Sequence, residues 1–410
     1  MPITPRSNPL LYTILVVLVG FCEIIYLKNY MSKNQFNHIS INGYRRLGSV
    51  DIQIRPLTVM IGANGVGKTA FLEIFSLLAA SAKGQLASKI SELGGVNDIL
   101  TRDKAKSLAC KLSIGIDEHE SLDYTLQIDA KGHAYEIATE TLRQNPDNFK
   151  YIERYQFNVS AYDNTKKPFI DWELTPLESI LSQMPKNRVP ANLAGQLASS
   201  THYSAFVLNV APQSPIRLPQ TMRPVILPAQ NGEDLVSYLY YLRETEPHRF
   251  EMIEDSLAVA FPSFKSLSFP PVAAGTLALT WHDKNFSTPL YMHQLSEGTL
   301  RFLWLITLLQ SHNLSAITLI DEPEVSLHPQ LLSFLSGLMR EASKRTQLII
   351  ATHSDRLIGF LEPHEVLVMD ENFDNGLTEM TYADELDLEH WISDYTLDQI
   401  WRMGIMGGRP

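Results

Sequence analysis

The sequence predicts an α/β fold with a parallel core sheet, an inserted antiparallel β-rich subdomain and a helical region near residue 300, and three observations predict it. The second half alternates apolar strand-like and helix-like runs, the pattern of parallel strands covered by helices. A strand-like run, Leu57 to Ile61, ends in the glycine-rich stretch GANGVGKT, and an apolar helix-forming stretch follows it. Between these two regions lie runs with a period of two, which is the signature of half-buried strands.

Taken in order, Phe36 to Ile61 alternates short β-rich runs (FNHISI, SVDIQI, LTVMI) with turn residues. Lys68 to Ala82 contains neither Pro nor Gly and reads as a largely buried helix. Leu108, Cys110, Leu112, Ile114 and Ile116 alternate with small or polar residues, and Leu122, Tyr124, Leu126 and Ile128 repeat the pattern after the turn-like Asp117 to Ser121. That is a hairpin. Further strand-like runs lie near Tyr135 to Ile137 and Tyr151 to Val159, followed by a Pro-rich stretch from Pro185 to Pro228. Asp234 to Glu246 reads as a helix stopped by Pro247, and Met252 to Ala260 as another. Leu300 to Leu309 and Leu331 to Ala342 read as helices, and Ala316 to Ile320, Leu348 to Ala351 and Glu365 to Met369 as buried strands. Asp370 and Glu371 read as loop. The division is an apolar leader over 1–30, a head over 31–369 with its insertion at about 100–230, and a tail over 370–410.

At 410 residues, 45% hydrophobic and 19% charged, the chain has the composition of a folded protein able to bury a core. Cys22 and Cys110 make no disulfide or metal framework, which fits a reducing cytoplasm. A net charge of -11 argues against a protein that coats nucleic acid non-specifically, while leaving room for a local basic groove. Leu10 to Leu27 is nearly long enough to cross a hydrocarbon core of roughly 30 Å, but Glu23 interrupts it. It reads as an inner-membrane anchor, as a secretory signal that lacks a small-residue cleavage site, or as upstream sequence before a start at Met31. The last is favoured, which makes membrane attachment the lesser expectation.

Four motifs carry the chemistry. GANGVGKT fits the P-loop pattern between a strand and a helix. Gly62, Ala63, Asn64, Gly65, Val66 and Gly67 would turn successive N–H groups toward phosphates, with Lys68 reaching the β- and γ-phosphates and Thr69 holding Mg²⁺. AITLIDEPE ends an apolar strand in two carboxylates, with Asp321 suited to hold Mg²⁺ through water and Glu322 to orient or deprotonate an attacking water. On its own the pair is read equally well as facing solvent or capping the next helix. In LSEGTLRF, Ser296 is a good N-cap, and the exposed N–H groups near Gly298 suit a phosphate, although an ordinary capped helix has the same look. In IIATHS, His353 follows a buried strand and is placed to contact a γ-phosphate, though a lone histidine there is usually unremarkable.

In this order the motifs resemble those of ABC-type ATPases, and LSEGT with DEPEVSLHP (Asp321 to Pro329) resembles the soluble RecF-like, OLD-like and SMC-like branch. Stand-alone bacterial AAA-family ATPases of anti-phage defence systems look similar too, down to the tail LDQIWRMGIMGGRP. The resemblance implies ATP and Mg²⁺ as cofactors and a homodimer that sandwiches nucleotide, in which Ser296 and Gly298 of one copy complete the site of the other and Val325 to His328 lies along the seam. It implies ATP-driven closure and opening that controls a separate effector protein, or alternatively a repair-type ATPase that clamps nucleic acid. A coiled-coil machine is not expected, because the roughly 225 residues between P-loop and signature show β alternation and prolines. The stretch after Ser354 is too short for an added nuclease domain, and a transporter subunit would rest on the leader alone. The glutamine that senses Mg²⁺ in such enzymes is not evident; Gln85 is the weak candidate. Tyr44, Arg45 and Arg46 read as a surface turn or, alternatively, as neighbours of the nucleotide.

Overall fold

The computed structural model describes residues 35–117, 120–156, 158–162, 173–184, 189–204, 208 and 210–407, so the leader and a start at Met31 fall outside the described residues. The chain is α/β. Its centre is a six-stranded sheet built from β3 (Leu57–Ile61), β9 (Thr201–Ser204), β16 (Ile317–Asp321), β17 (Gln347–Ala351), β18 (Val366–Glu371) and β19 (Thr378–Tyr382). Their order is β19-β18-β3-β17-β16-β9; all neighbours are parallel except the edge pair β18 and β19. The inner strands β3, β17 and β16 are largely apolar because both faces are covered. Ile317, Leu319, Ile349 and Leu367 point into one core, and Ile320, Leu348, Ile350 and Val366 into another.

Helix α1 (Lys68–Ala82) covers the first face together with a seven-stranded antiparallel sheet. That sheet runs β2-β1-β4-β5-β6-β7-β8, from β1 (Gln35–Tyr44), β2 (Leu47–Gln53), β4 (Ser107–Asp117), β5 (Glu120–Lys131), β6 (Ala134–Asn145), β7 (Phe149–Tyr155) and β8 (Asn158–Ala161). The strand-rich stretch after α1 therefore continues the sheet that β1 and β2 begin. Register follows the alternation: Leu108 opposes Ile128, Leu112 opposes Tyr124 and Ile114 opposes Leu122. Glu140 is buried here, and its carboxylate accepts hydrogen bonds from Ser179 Oγ and from the Ile180 and Leu181 N–H groups. Burial raises the proton affinity of this carboxyl, and these donors offset part of the rise.

Helices α2 (Leu235–Thr245), α3 (Pro247–Ala260), α4 (Glu297–Leu309) and α5 (Gln330–Ser343) contribute to the core on the second face. Pro247 does not only stop α2; it starts α3 at a position whose N–H has no helical partner anyway. Two three-stranded sheets complete this side, one from β10 (Gln220–Thr221), β13 (Thr276–Leu277) and β12 (Pro271–Ala273), the other from β11 (Phe264–Ser268), β14 (Thr280–Asp283) and β15 (Leu290–Tyr291). Asp370 and Glu371, expected as loop, finish β18, because each pairs with a residue of β19. Among the described residues no helix is long and apolar enough to cross a membrane.

Candidate functional site

Three neighbouring parallel strands, β3, β17 and β16, bring their carboxyl ends to one edge of the central sheet, where α/β folds place ligands. The P-loop leaves β3, His353 is the second residue after β17 and Asp321 ends β16. Gly67 stands at the N-cap of α1 with φ 122, a conformation that a side chain would oppose, so glycine is needed for the loop to turn into the helix. A Cβ added to Gly65 would meet nothing within 4 Å, which leaves the loop open on its outer side.

Lys68 is 5% exposed, and its Nζ donates to the Gly62 and Ala63 carbonyls at 2.5 and 3.0 Å. Burial pulls its amine down to about 8, against the carboxylates of Asp321, Glu322 and Glu324. Burial raises the Asp321 carboxyl to about 6, with Glu322 adding to the rise, while Lys68 and the Thr69 hydroxyl within hydrogen-bonding reach oppose it. Here carboxylates outnumber ammonium groups three to one. Glu322 has φ 52, a left-handed backbone rarely tolerated outside glycine and asparagine, held by the bond from its N–H to the Ala351 carbonyl. His353 Nε2 lies 3.7 Å from Glu322 Oε1. Burial and Lys68 lower the pKa of that imidazole and Glu322 raises it, with a net decrease, so the ring is neutral at pH 7.

An open cleft of about 530 Å³ runs outward from this corner, lined by P-loop residues and His353 and, on the far side, by Arg45, Arg46, Asp98, Leu100 and Arg102. Arg45 and Arg46 form the turn between β1 and β2 and line the cleft, whereas Tyr44 ends β1 as a fully buried side chain and belongs neither to a surface turn nor to the cleft. Arg45 Nε pairs with Glu73 at 3.1 Å, and Arg46 Nη1 donates to Glu371 at 2.8 Å. Asp98, Arg102 and Glu73 were not foreseen; their roles depend on neighbours distant in the chain, and no local pattern marks them. Gln85 is an exposed residue at the start of a short helix over Leu86–Glu92 and does not line the cleft.

Ser296 caps α4, accepting from the Thr299 N–H at 3.2 Å. Arg217 Nη1 steadies the preceding turn by donating to the carbonyls of Met292, His293 and Leu295. A Cβ on Gly298 would lie 2.5 Å from the Ser326 carbonyl oxygen, so glycine here admits the loop that follows Glu322. That contact is reinforced: Glu297 Oε1 accepts from Ser326 Oγ at 2.8 Å and from Arg301 Nε at 2.9 Å. These two donors hold the Glu297 carboxyl below its ordinary range. The structure thus joins Gly62 to Thr69, Asp321, Glu322 and His353 in one corner, and joins Ser296 and Gly298 to the 322–326 loop. Among the described residues none from Leu295 to Phe302 lines the cleft.

The profile of a family described as "AAA domain, putative AbiEii toxin, Type IV TA system" matches residues 57–359. Among solved structures, an SMC head bound to the C-winged helix domain of ScpA is 14% identical with a TM-score of 0.52, the match covering 85% of this chain and 97% of that one. An Smc head domain with an extended coiled coil, bound to the C-terminal domain of ScpA derived from Pyrococcus furiosus, is 12% identical with a TM-score of 0.50, covering 88% and 98%. At such identities the likeness is one of fold. No curated protein matches the chain.

Proposed function

This chain belongs to the AAA-domain family whose description names the AbiEii toxin and type IV toxin–antitoxin systems, and from that premise we propose that it binds and hydrolyses ATP as a Mg²⁺-dependent homodimer. The observation that carries this reading is the division of labour. Lys68, Thr69, Asp321, Glu322 and His353 share one corner, and the capped serine that would close a nucleotide sandwich belongs to another part of the surface.

The donor set fits its ligands. A buried ammonium held only by loop carbonyls and nearby carboxylates suits a polyanion, and a surplus of hard oxygen donors suits a divalent cation. Thr69 and Asp321 would hold Mg²⁺, which when bound neutralises phosphate charge. The N–H groups of Gly62 to Thr69 bind the phosphates, aided by the positive end of α1. Glu322 takes the proton of the attacking water on its carboxylate, and the neutral His353 beside it donates its single N–H to the terminal phosphate. Ser296 and Gly298 of a second copy cover the opposite side of the triphosphate.

Closure and opening of such a dimer is the output, and a separate effector protein is its receiver, in keeping with the toxin–antitoxin setting of the family description. A non-specific nucleic-acid clamp is the weaker reading. On the antiparallel sheet Lys111, Lys131 and Lys150 each stand beside a carboxylate, and the chain carries a net charge of -11.

The test is to weigh Glu322→Gln protein with and without ATP and Mg²⁺. Removing the general base should slow turnover by about 10²–10⁴-fold and trap dimers of twice 46.3 kDa. A chain that stays monomeric with bound ATP would sink the reading, and dimers that form only with nucleic acid would favour the clamp.

A further inference from the structure

Glu324 stands three residues past Asp321 and, beyond adding to the negative charge near Lys68, has no part in the steps above. Its Oε1 accepts two hydrogen bonds from the loop after β17, one from Thr352 Oγ1 at 2.6 Å and one from the His353 N–H at 3.1 Å. Its Oε2 is shut off from solvent and has no partner. An orphan buried carboxylate oxygen is a cost that proteins usually design away. Burial raises the carboxyl's proton affinity and the nearby Glu322 adds to it, while the Thr352 and His353 donors offset part of the rise.

The geometry of these bonds explains why such a group is kept. The loops that carry Glu322 and His353 leave adjacent strands, β16 and β17, and the Glu324 carboxyl ties one to the other. On the other side of the same turn, the Leu327 N–H bonds to the Glu324 carbonyl and Ser326 reaches Glu297 at the start of α4. Glu324 is therefore fixed at both ends, and the backbone of His353 is fixed through it.

Resting on the ATPase reading, we propose that Glu324 is a positioning residue: it clamps the His353 loop to the acidic turn and so sets the approach of His353 to Glu322 on the γ-phosphate side of the site. A side chain that orients a catalytic pair should affect turnover far more than ground-state binding, since misplacement by about 1 Å can cost 10²-fold.

The experiment compares Glu324→Ala, Glu324→Gln and Thr352→Val in the full chain, with two readouts. In steady-state ATP hydrolysis, Glu324→Ala should lower kcat by about 10–100-fold with KM within about threefold of wild type. Glu324→Gln keeps an acceptor oxygen for both donors and should recover most of the rate, and Thr352→Val, which removes one donor, should fall between. The second readout is the titration of the His353 ring in nucleotide-free protein, followed by NMR and assigned by its loss in His353→Asn. The depressed value should move toward that of a free imidazole in Glu324→Ala and stay low in Glu324→Gln, as the ring leaves its place between Lys68 and Glu322. Equal losses in the Gln and Ala variants, a change confined to KM, or an unmoved His353 titration in Glu324→Ala would each overturn the clamp. If wild-type protein fails to hydrolyse ATP, the ATPase reading falls, and the His353 titration still decides the clamp.

Discussion

Asp321 is where the site costs the free protein most visibly. In the unfolded chain its carboxyl titrates in the ordinary range, whereas in the fold burial and Glu322 lift it to about 6. The folded state therefore holds an extra proton between those values. Stability from this group is full below the ordinary carboxylate pKa and is lost as pH rises through about 6. Lys68 has the opposite sign: with its amine lowered to about 8, its contribution is full above the usual lysine value and is lost as pH falls through 8. Near neutrality both groups are charged against their surroundings, and phosphate and Mg²⁺ are the natural relief. In the absence of nucleotide and metal, Asp321→Asn should melt above wild type at pH 8 by on the order of 2 °C, with the gap narrowing at pH 5. Differential scanning calorimetry at the two values checks this; a lower melting point for the variant at pH 8 would refute the account. Glu322 tells the same story in its backbone, since φ 52 is strain kept at the proposed general base.

At the scale of elements, the contact between α4 and the 322–326 loop is a tight junction near the site. A methyl group at Gly298 would sit 2.5 Å from a backbone oxygen, and backbone yields less readily than a side-chain tip. Gly298→Ala should therefore leave a folded chain that binds ATP with an affinity near wild type, loses at least about tenfold in turnover and dimerises poorly with ATP. Equilibrium binding alongside turnover checks it; unchanged turnover would mean that the junction tolerates separation. The elements themselves were legible in proportion to how local their causes are. The bounds of α1 could be read as Lys68 to Ala82 because a glycine-rich turn opens it and an unbroken apolar run fills it. The β4–β5 hairpin followed from alternation alone. By contrast, β9 is four residues long just after a Pro-rich opening, and only its parallel pairing with β16 makes it a strand. The motif residues of the site were readable for the same local reason. Arg45 with Glu73, and Glu324 with Thr352, were not, because in each pair the partner lies 28 residues away and only the fold brings it near.

For the whole molecule, the separation of Ser296 from the P-loop cleft makes a prediction that no single chain can satisfy. Lys68→Ala cannot grip phosphate, and Ser296→Arg cannot close over a neighbour's phosphate; each should be inactive alone. Mixed together, they should form heterodimers with one intact composite site and recover turnover that neither variant shows by itself. Turnover by Ser296→Arg alone at the wild-type rate would place the complete site within one chain. A last feature bears on how the chain can be cut or handled. The hairpin of β18 and β19 touches the phosphate loop from outside: Thr378 Oγ1 donates to the Val66 carbonyl, the Thr378 N–H reaches the Arg46 carbonyl and Glu371 grips the Arg46 side chain. The stretch after residue 365 thus braces the P-loop and the turn between β1 and β2. A truncation ending at the family match, near residue 359, would be expected to keep every signature motif and still lose its hold on the triphosphate.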